Sequence, residues 1–334
     1  MFILETYTVA VIFTVITMLC WGSWANTQKL AEQTWRFELF YWDYVIGTVL
    51  LALVFAFTLG SFGDGGRPFL EDLVQADFSN MVSAFMGGVV FNLANILLVA
   101  AISIAGMAVA FPVGIGLALV LGVLVNYVAS PYGDPLLLFL GVALVTAAII
   151  LDAIAHKRTS EEAAGKAGAK GIILSVACGI FMSLFYFLVA RSMSDNFSNP
   201  EAGLMTPYTA VFIFTLGIFV SNFIFNTFLM KRPIEGKPLS FSDYFQGDFK
   251  THTIGVLGGV IWCIGMSFNI IAAELAGYAI AYGLGQGATL VAALWGVFIW
   301  KEFKYAPEGT NKFIVLMFVC FIIGLGLIIL AGTP

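Results

Sequence analysis

The sequence predicts an all-α polytopic membrane protein whose ten transmembrane helices form two inverted-topology repeats of five. Its composition, its loop charges and an internal repeat lead to this prediction. Of the 334 residues, 60% are hydrophobic and only 10% are charged, whereas a soluble domain carries about 25% charged residues. A run of about 20 apolar residues crosses the ~30 Å core of a bilayer. Ten such runs are predicted to span it: 7–28, 38–60, 79–102, 105–129, 134–155, 170–191, 206–230, 253–274, 277–300 and 312–331.

The basic residues predict the orientation of these spans. Only Arg67 and Arg191 lie on the side that also holds both termini. Cytoplasmic loops are enriched in Lys and Arg, so we expect both termini outside and the protein in the plasma (inner) membrane. The loops after the odd-numbered spans hold the other thirteen of the fifteen basic residues: Lys29, Arg36, Lys157, Arg158, Lys166, Lys170, Lys231, Arg232, Lys237, Lys250, Lys301, Lys304 and Lys312.

An internal repeat divides the chain. Spans three and four align with spans eight and nine without a gap at an offset of 171 residues, so that Gly88 matches Gly259 and Gly106 matches Gly277. With five spans in each half, equivalent helices cross the membrane in opposite senses, which is a recurrent architecture of secondary transporters. The predicted divisions are a first repeat at 1–155, a cytoplasmic linker at 156–169 and a second repeat at 170–334.

The predicted linker contains the fragment "GKAGAKG" (165–171), which has some likeness to a phosphate-binding loop. It lacks the GxxxxGK[ST] spacing, and no strand precedes it. A solvated linker is therefore the favoured interpretation over a nucleotide site.

Two acidic residues are candidates for ion coupling. Asp43, in "FYWDYVIG", lies between one and two turns inside span two, and Glu274 ends span eight just before the "LAG" hairpin. Charged groups at membrane depth are costly and point to function, so either residue is expected to exchange a proton as the site alternates. The alternatives are a salt bridge from Asp43 to Lys29 or Arg36, and simple solvation of Glu274.

Neutral polar side chains are predicted deeper in the membrane. Asn92 and Asn95 share a face of span three by their i, i+3 spacing, and Gln286 lies near the middle of span nine. Their repeat partners are apolar or sulfur-containing residues: Cys263, Met266 and Ile115. This asymmetry favours a substrate site, and interhelical hydrogen bonds are the alternative.

The stretch "CWGSWANTQKL" (20–30) occupies the inner half of span one. Trp21 and Trp24 lie on one face at i, i+3, and Asn26 follows them. An aromatic belt at the membrane interface accounts for one tryptophan. It accounts less well for Trp21, which lies two turns deeper than Lys29 and is flanked by Gly22. We therefore predict a wall of the binding site here.

Together with that stretch, "GGVVFNLANILLVAAI", "RPIEGKPLSF" and "AGYAIAYGLGQGATLVAALWGVFIWKEF" resemble the ureide permeases of plants and their bacterial relatives, over residues 20 to 330. The resemblance implies a drug/metabolite-transporter fold with a central cavity. It also implies import of ureides and nucleobases with protons. The family's motifs fall on Trp21, Gly22 and Trp24, on Asp43, and on Trp295 and Gly296. The longer central loop of the plant members, with its nucleotide-loop-like motif, is missing from this sequence.

The expected function is secondary import of a small polar solute by alternating access, coupled to protons. The alternatives are a sugar or nucleoside porter, a drug or metabolite exporter, and a non-transporting sensor. A membrane enzyme is disfavoured because the sequence has no HExxH motif, clustered metal ligands or Ser/His/Asp set at membrane depth. His156 and His252, at inside helix ends, are expected to be solvated. The expected partners are the solute, protons and the lipid bilayer, with neither a cofactor nor nucleic acid.

Overall fold

The computed structural model describes residues 1–31, 35–159, 169–234 and 236–333, and this part of the chain is helical without a β-strand. Ten helical segments within it are long and apolar enough to cross a membrane, which confirms the predicted all-α polytopic membrane fold and the number of spans. The α-helices are α1 (Tyr7–Ser23), α2 (Asn26–Leu30), α3 (Phe37–Phe57), α4 (Phe69–Gln75), α5 (Phe78–Ala105), α6 (Met107–Ala110), α7 (Gly116–Ala129), α8 (Pro135–Thr159), α9 (Ala169–Ala190), α10 (Pro207–Lys231), α11 (Phe241–Tyr244), α12 (Phe249–Ala276), α13 (Tyr278–Gly285), α14 (Ala288–Leu294) and α15 (Thr310–Ala331).

Three of the predicted spans are interrupted. The first breaks between Ser23 and Asn26, where α1 gives way to α2. The fourth contains a π-helical turn at Phe111–Ile115, because Pro112 lacks the N–H that an α-helical bond requires. The ninth breaks at Gln286 and Gly287, and a second π-helical turn follows at Trp295–Ile299. Such irregular turns are frequent at functional sites.

The predicted linker at 156–169 lies largely outside the described residues. α8 continues to Thr159, and α9 begins at Ala169. Residues 160–168, which include the first four residues of "GKAGAKG", are not described.

The chain forms two compact units. The first comprises Met1–Asn92 and Phe185–Leu275, and the second comprises Leu93–Leu184 and Ala276–Pro334. Each unit therefore takes residues from both predicted repeats. The division into repeats is a statement about the order of helices along the sequence, and it stays a prediction.

Glycines allow close helix crossings in the first unit. A Cβ atom added to Gly88 of α5 would meet the carbonyl oxygen of Phe214 in α10. A Cβ atom added to Gly259 of α12 would meet the carbonyl oxygen of Tyr44 in α3. Because apolar side chains gain little by leaving lipid, membrane helices associate through such small residues. These crossings hold α3 and α10, which carry many of the buried polar groups, against α12 and α5.

Glycines also allow close helix crossings in the second unit. A Cβ atom on Gly141 of α8 would lie 2.6 Å from the carbonyl oxygen of Gly324 in α15, and one on Gly324 would lie 2.9 Å from that of Gly141. α7 and α13 meet where Gly122 faces the ring of Tyr282. The Tyr282 hydroxyl donates to the carbonyl oxygens of Ala118 and Met182, at 3.2 Å each.

The short joints "IAG" (104–106), between the third and fourth spans, and "LAG" (275–277), between the eighth and ninth, have nearly the same backbone geometry. Gly106 has φ +77° and Gly277 has φ +79°, values that residues with a Cβ atom rarely adopt. The helices that precede them, α5 and α12, are each 28 residues long, and both of their ends differ by 171 positions. The sequence offset is thus matched by local structure.

Candidate functional site

Asp43 is the centre of a buried polar cluster in the first unit. It lies in the second turn of α3 and is only 1% exposed. Its Oδ1 accepts a hydrogen bond from the Tyr244 hydroxyl at 2.6 Å and lies 2.8 Å from Nδ1 of His252. Its Oδ2 accepts a 3.3 Å bond from Nε1 of Trp35. We call Trp35, Asp43, Tyr244 and His252 the Asp43 cluster.

The ion pair of Asp43 differs from the predicted alternative. The partner of Asp43 is His252, whereas Arg36 pairs with Glu38 and donates to the carbonyl oxygen of Lys237. His252 is therefore not the simply solvated side chain that the sequence suggested. The sequence places His252 at a helix end near water, but it does not show that α3 brings a carboxylate next to the ring.

Local capping interactions position the donors. Ser240 and Asp243 form a capping box that starts α11, and this short helix ends at Tyr244. Oδ1 of Asp248 accepts a 2.7 Å bond from the backbone N–H of Thr251, and His252 follows in the first turn of α12. Gly255, one turn further along, leaves room for the carboxylate, because a Cβ atom there would meet the Asp43 side chain.

The groups outside the spans have shifted acidities. Burial, together with the hydrogen bond to Asp43, raises the pKa of the Tyr244 hydroxyl, so this group stays protonated and donates throughout the physiological range. Hydrogen bonds from Ser240 lower the pKa of Asp243, and hydrogen bonds from Thr251 lower that of Asp248. Both carboxylates are therefore charged at neutral pH.

An aromatic cluster of Trp21, Trp24, Tyr44, Phe91 and Trp262 also lies in the first unit. The ring centroids of Trp21 and Trp262 are 5.9 Å apart, those of Trp24 and Tyr44 are 4.7 Å apart, and those of Phe91 and Trp262 are 4.6 Å apart. Nε1 of Trp21 donates to the carbonyl oxygen of Trp262 at 3.1 Å. Both predicted tryptophans of α1 and its C-cap thus face other aromatic rings within the protein.

The two predicted asparagines of the first unit, Asn26 and Asn92, form hydrogen bonds to other groups of the protein. Nδ2 of Asn26 donates to the carbonyl oxygen of Ser23 at 3.1 Å, across the break between α1 and α2. Asn92 is fully buried, and its Oδ1 accepts a 2.9 Å bond from the Tyr41 hydroxyl. Nδ2 of Asn92 donates to Oγ of Ser221 at 2.9 Å and to the carbonyl oxygen of Ile218 at 3.3 Å.

Glu274 lies near the end of α12, where its Oε1 accepts a 2.8 Å bond from the backbone N–H of Phe197. The carboxylate therefore ties α12 to the loop that follows α9. This contact is made in the described conformation and differs from the simple solvation that was the alternative for this residue.

The other predicted site residues belong to the second unit. Asn95 is buried in α5. Gln286 forms the break between α13 and α14, where its carbonyl oxygen accepts a 2.9 Å bond from the Thr289 hydroxyl. Trp295 begins the second π-helical turn and stacks on Trp300, with ring centroids 6.4 Å apart.

Comparison with known proteins decides the family. The family model described as ureide permease matches residues 40–170 and 158–331. The chain belongs to the ureide permease family.

Relatives within this family match the chain along most of its length. Ureide permease 1 of Arabidopsis thaliana is 22% identical, over 98% of each chain. Probable ureide permease A3 of Vigna unguiculata is 23% identical, over 86% of this chain and 94% of its own. A solved crystal structure superposes with a TM-score of 0.61 at 14% identity, over 96% of each chain, which shows the fold alone. The chain is a multi-pass membrane transporter of small polar solutes and not an enzyme.

Several residues around the predicted site of this ureide permease family member were missed from the sequence: Trp35, Tyr44, Tyr244, His252 and Trp262. For Trp262 the sequence offered a signal, since the internal repeat aligns it with another aromatic residue, Phe91, at the offset of 171 residues. The sequence offered no such signal for Trp35, Tyr244 and His252, because these residues come from a loop, a four-residue helix and the start of α12.

Proposed function

We propose that this chain imports a ureide or a nucleobase across the plasma membrane by alternating access, with protons as the coupling ion and with both termini outside. Asp43 is the observation that carries the proposal. It is an ionisable carboxyl group at 1% exposure within a membrane-spanning helix. Since such groups are costly in a membrane, they mark ion pathways and proton relays.

The partners of Asp43 support a role in coupling. Tyr244 and Trp35 donate O–H and N–H groups that stabilise a carboxylate, and Nδ1 of His252 does the same when it carries a hydrogen. Neutralisation of Asp43 by a proton weakens these bonds, because hydrogen bonds to an ionised group are roughly twice as strong as neutral ones. Proton binding would thus loosen the contacts of α3 with α11 and α12. Glu274, bound to Phe197 near the other end of α12, is proposed as a second coupling residue that responds in the same way.

Alternating access is supported by the repeat features of the chain. α5 and α12 are equally long, Gly106 and Gly277 adopt the same unusual φ, and Gly88 and Gly259 make corresponding crossings. Inverted repeats that exchange conformations give a transporter its two facing states. The breaks in the first and ninth spans are the irregular elements that such a change requires.

The proposed solute is a flat, amide-rich molecule. The names of the relatives point to ureides, and the aromatic cluster offers faces on which a flat ring stacks. The residues proposed to bind the solute are those predicted from the sequence: Trp21, Trp24, Asn26, Asn92, Asn95, Gln286 and Trp295. In the described conformation, the amide of Asn92 is largely taken up by Tyr41, Ser221 and Ile218.

The substrate is selected first by thermal shift of the purified protein with allantoin, uracil, xanthine, uridine, glucose, ribose and fucose. A ligand at 100 Kd stabilises the native state by about 2.7 kcal/mol. We expect shifts with allantoin or the nucleobases. Shifts with sugars or uridine alone would instead indicate a sugar or nucleoside porter, and no shift at all would favour an exporter or a sensor.

The coupling proposal is tested with Asp43→Asn in proteoliposomes. The amide keeps the size of the side chain but cannot bind and release a proton, so we expect loss of uphill allantoin uptake driven by a pH gradient. Exchange of internal for external allantoin should persist, because exchange needs no net proton movement.

Glu38→Gln is the matched control, since Glu38 lies on the same helix and pairs with Arg36. It should retain uphill uptake. Uphill uptake at the wild-type rate by Asp43→Asn would remove Asp43 from the coupling mechanism.

A further inference from the structure

We propose that His252 relays protons between Asp43 and the water on the side of the basic loops, so that the two residues act as a single coupling pair. This inference rests on the proposed proton-coupled function and adds to it a residue and a route. The basic loops are those that follow the odd-numbered spans.

Among the described residues, His252 links Asp43 to the protein surface. The carboxyl group is 1% exposed, and Trp35, itself buried, covers it together with Tyr244. The side chain of His252 is 26% exposed, and its Nδ1 lies 2.8 Å from Oδ1 of Asp43. His252 therefore contacts both the carboxyl group and the surrounding water.

Tyr244 is half-buried and also touches Asp43, but it does not serve as a carrier. Its raised pKa keeps the hydroxyl protonated at neutral pH, so it donates a hydrogen bond without releasing the proton. The indole N–H of Trp35 does not ionise in this range either. Among the three side chains that contact Asp43, only the imidazole can take up a proton on one ring nitrogen and release one from the other.

The relay step balances as follows. The O–H bond of the Asp43 carboxylic acid breaks, and the lone pair on Nδ1 of the neutral imidazole forms a new N–H bond. The resulting imidazolium releases the hydrogen on Nε2 to water. Asp43 is then a carboxylate that accepts a bond from Nδ1–H, and one proton has left the pair.

The charged groups around the pair fit this direction of transfer. Asp248, at the start of α12, is close enough to His252 to interact electrostatically, with Lys250 next to it. Asp248 is exposed and, because its pKa is lowered, ionised. From α3, Glu38 is paired with Arg36. The negative charge of Asp248 therefore favours a positive charge on the His252 ring during the transfer.

A purely structural role for His252 would consist of its hydrogen bond to Asp43. His252→Asn separates the two roles, since its Nδ2–H takes the place of Nδ1–H but the amide does not titrate. The matched control is His156→Asn. His156 is the other histidine of the chain and also lies at a helix end. Its side chain is 22% exposed, and its Nε2 lies 3.8 Å from Oδ1 of Asp152.

The experiment uses the full chain in proteoliposomes that contain a trapped pH-sensitive dye. Proton entry is recorded on addition of allantoin, and labelled allantoin counterflow is measured at equal pH on both sides. We expect His252→Asn to slow proton entry by about 10-fold or more, since general acid–base groups contribute at least that much. Counterflow in His252→Asn should match the wild type. Both proton entry and counterflow in His156→Asn should also match it.

Imidazole buffer provides a readout that a structural role would not move. We expect added imidazole to restore proton entry in His252→Asn, because the free base takes over the missing ring. Wild-type proton entry in His252→Asn would overturn the relay while leaving proton coupling intact. Equal loss of proton entry and counterflow, without rescue by imidazole, would assign His252 a structural role and also overturn it. Absence of allantoin-dependent proton entry in the wild type would overturn the proposed coupling and the relay together.

Discussion

The side-chain amide of Asn92 makes three hydrogen bonds inside the first unit, to Tyr41 in α3 and to Ser221 and Ile218 in α10. An amide offers two donors and two acceptor positions, so most of its capacity is occupied. The asymmetry that made Asn92 a candidate for solute binding also fits a residue that joins three helices.

Replacement of Asn92 tests this structural role. Asn92→Ala removes the hydrogen bonds of its side chain with Tyr41, Ser221 and Ile218, and the loss of one hydrogen bond costs about 0.5–1.5 kcal/mol. We expect a lower melting temperature in detergent. Asn126→Ala is the control and should lose less, because within the described residues the Asn126 amide bonds only to the carbonyl oxygen of Gly122 in its own helix. Wild-type melting of Asn92→Ala with weakened allantoin binding would instead assign Asn92 to the solute.

Single residues were predictable where their chemistry conflicts with the surrounding solvent. Asp43 was identified because a carboxylate in an apolar run is conspicuous in any sequence. His252 was not, because a histidine at a helix end near water is ordinary by itself. Its meaning comes from Asp43, which is 209 positions away in the chain.

At the level of elements, backbone hydrogen bonding explains why the ten helices were predictable. Without water in the bilayer core, an apolar run satisfies its N–H and C=O groups by forming a helix. The interruptions were harder to predict. Pro112 lies in the π-helical turn of the fourth span, but the breaks near Trp24 and Gln286 have no such residue. Gly22 and Gly287 lie next to them, yet glycine is common throughout this chain.

The crossing glycines allow a prediction about packing. In Gly88→Ala and Gly259→Ala, the added methyl group meets the backbone of Phe214 or Tyr44, which cannot rotate out of the way. Overpacking of this kind costs about 1–3 kcal/mol, so both variants should melt at lower temperature in detergent.

Gly326→Ala is the control for these variants, because a Cβ atom at Gly326 meets nothing within 4 Å. It should be neutral or stabilising by at most about 1 kcal/mol, as alanine is the better helix former. Equal melting of Gly259→Ala and Gly326→Ala would show that the α3–α12 crossing is less tight than described.

For the whole molecule, the sequence predicts the order of the helices better than their association. The chain passes between the units within α5, within α9 and after Leu275, so neither unit corresponds to one half of the sequence. Such an exchange depends on contacts between residues far apart in the chain, and apolar periodicity carries no information about them. The distribution of charge, by contrast, is a property of the loops alone and can be read directly.

That distribution makes the orientation testable. Asp64 is exposed in the loop before α4, on the side with few basic residues, and Lys237 is exposed in a basic loop. Because Lys and Arg are retained in the cytoplasm, we expect a membrane-impermeant maleimide to label Asp64→Cys in intact cells. Lys237→Cys should be labelled only after permeabilisation. The unsubstituted protein is the control, since its four cysteines lie within spans and are buried or partly buried. The reverse pattern would place the basic loops outside, and His252 would then face the external solution.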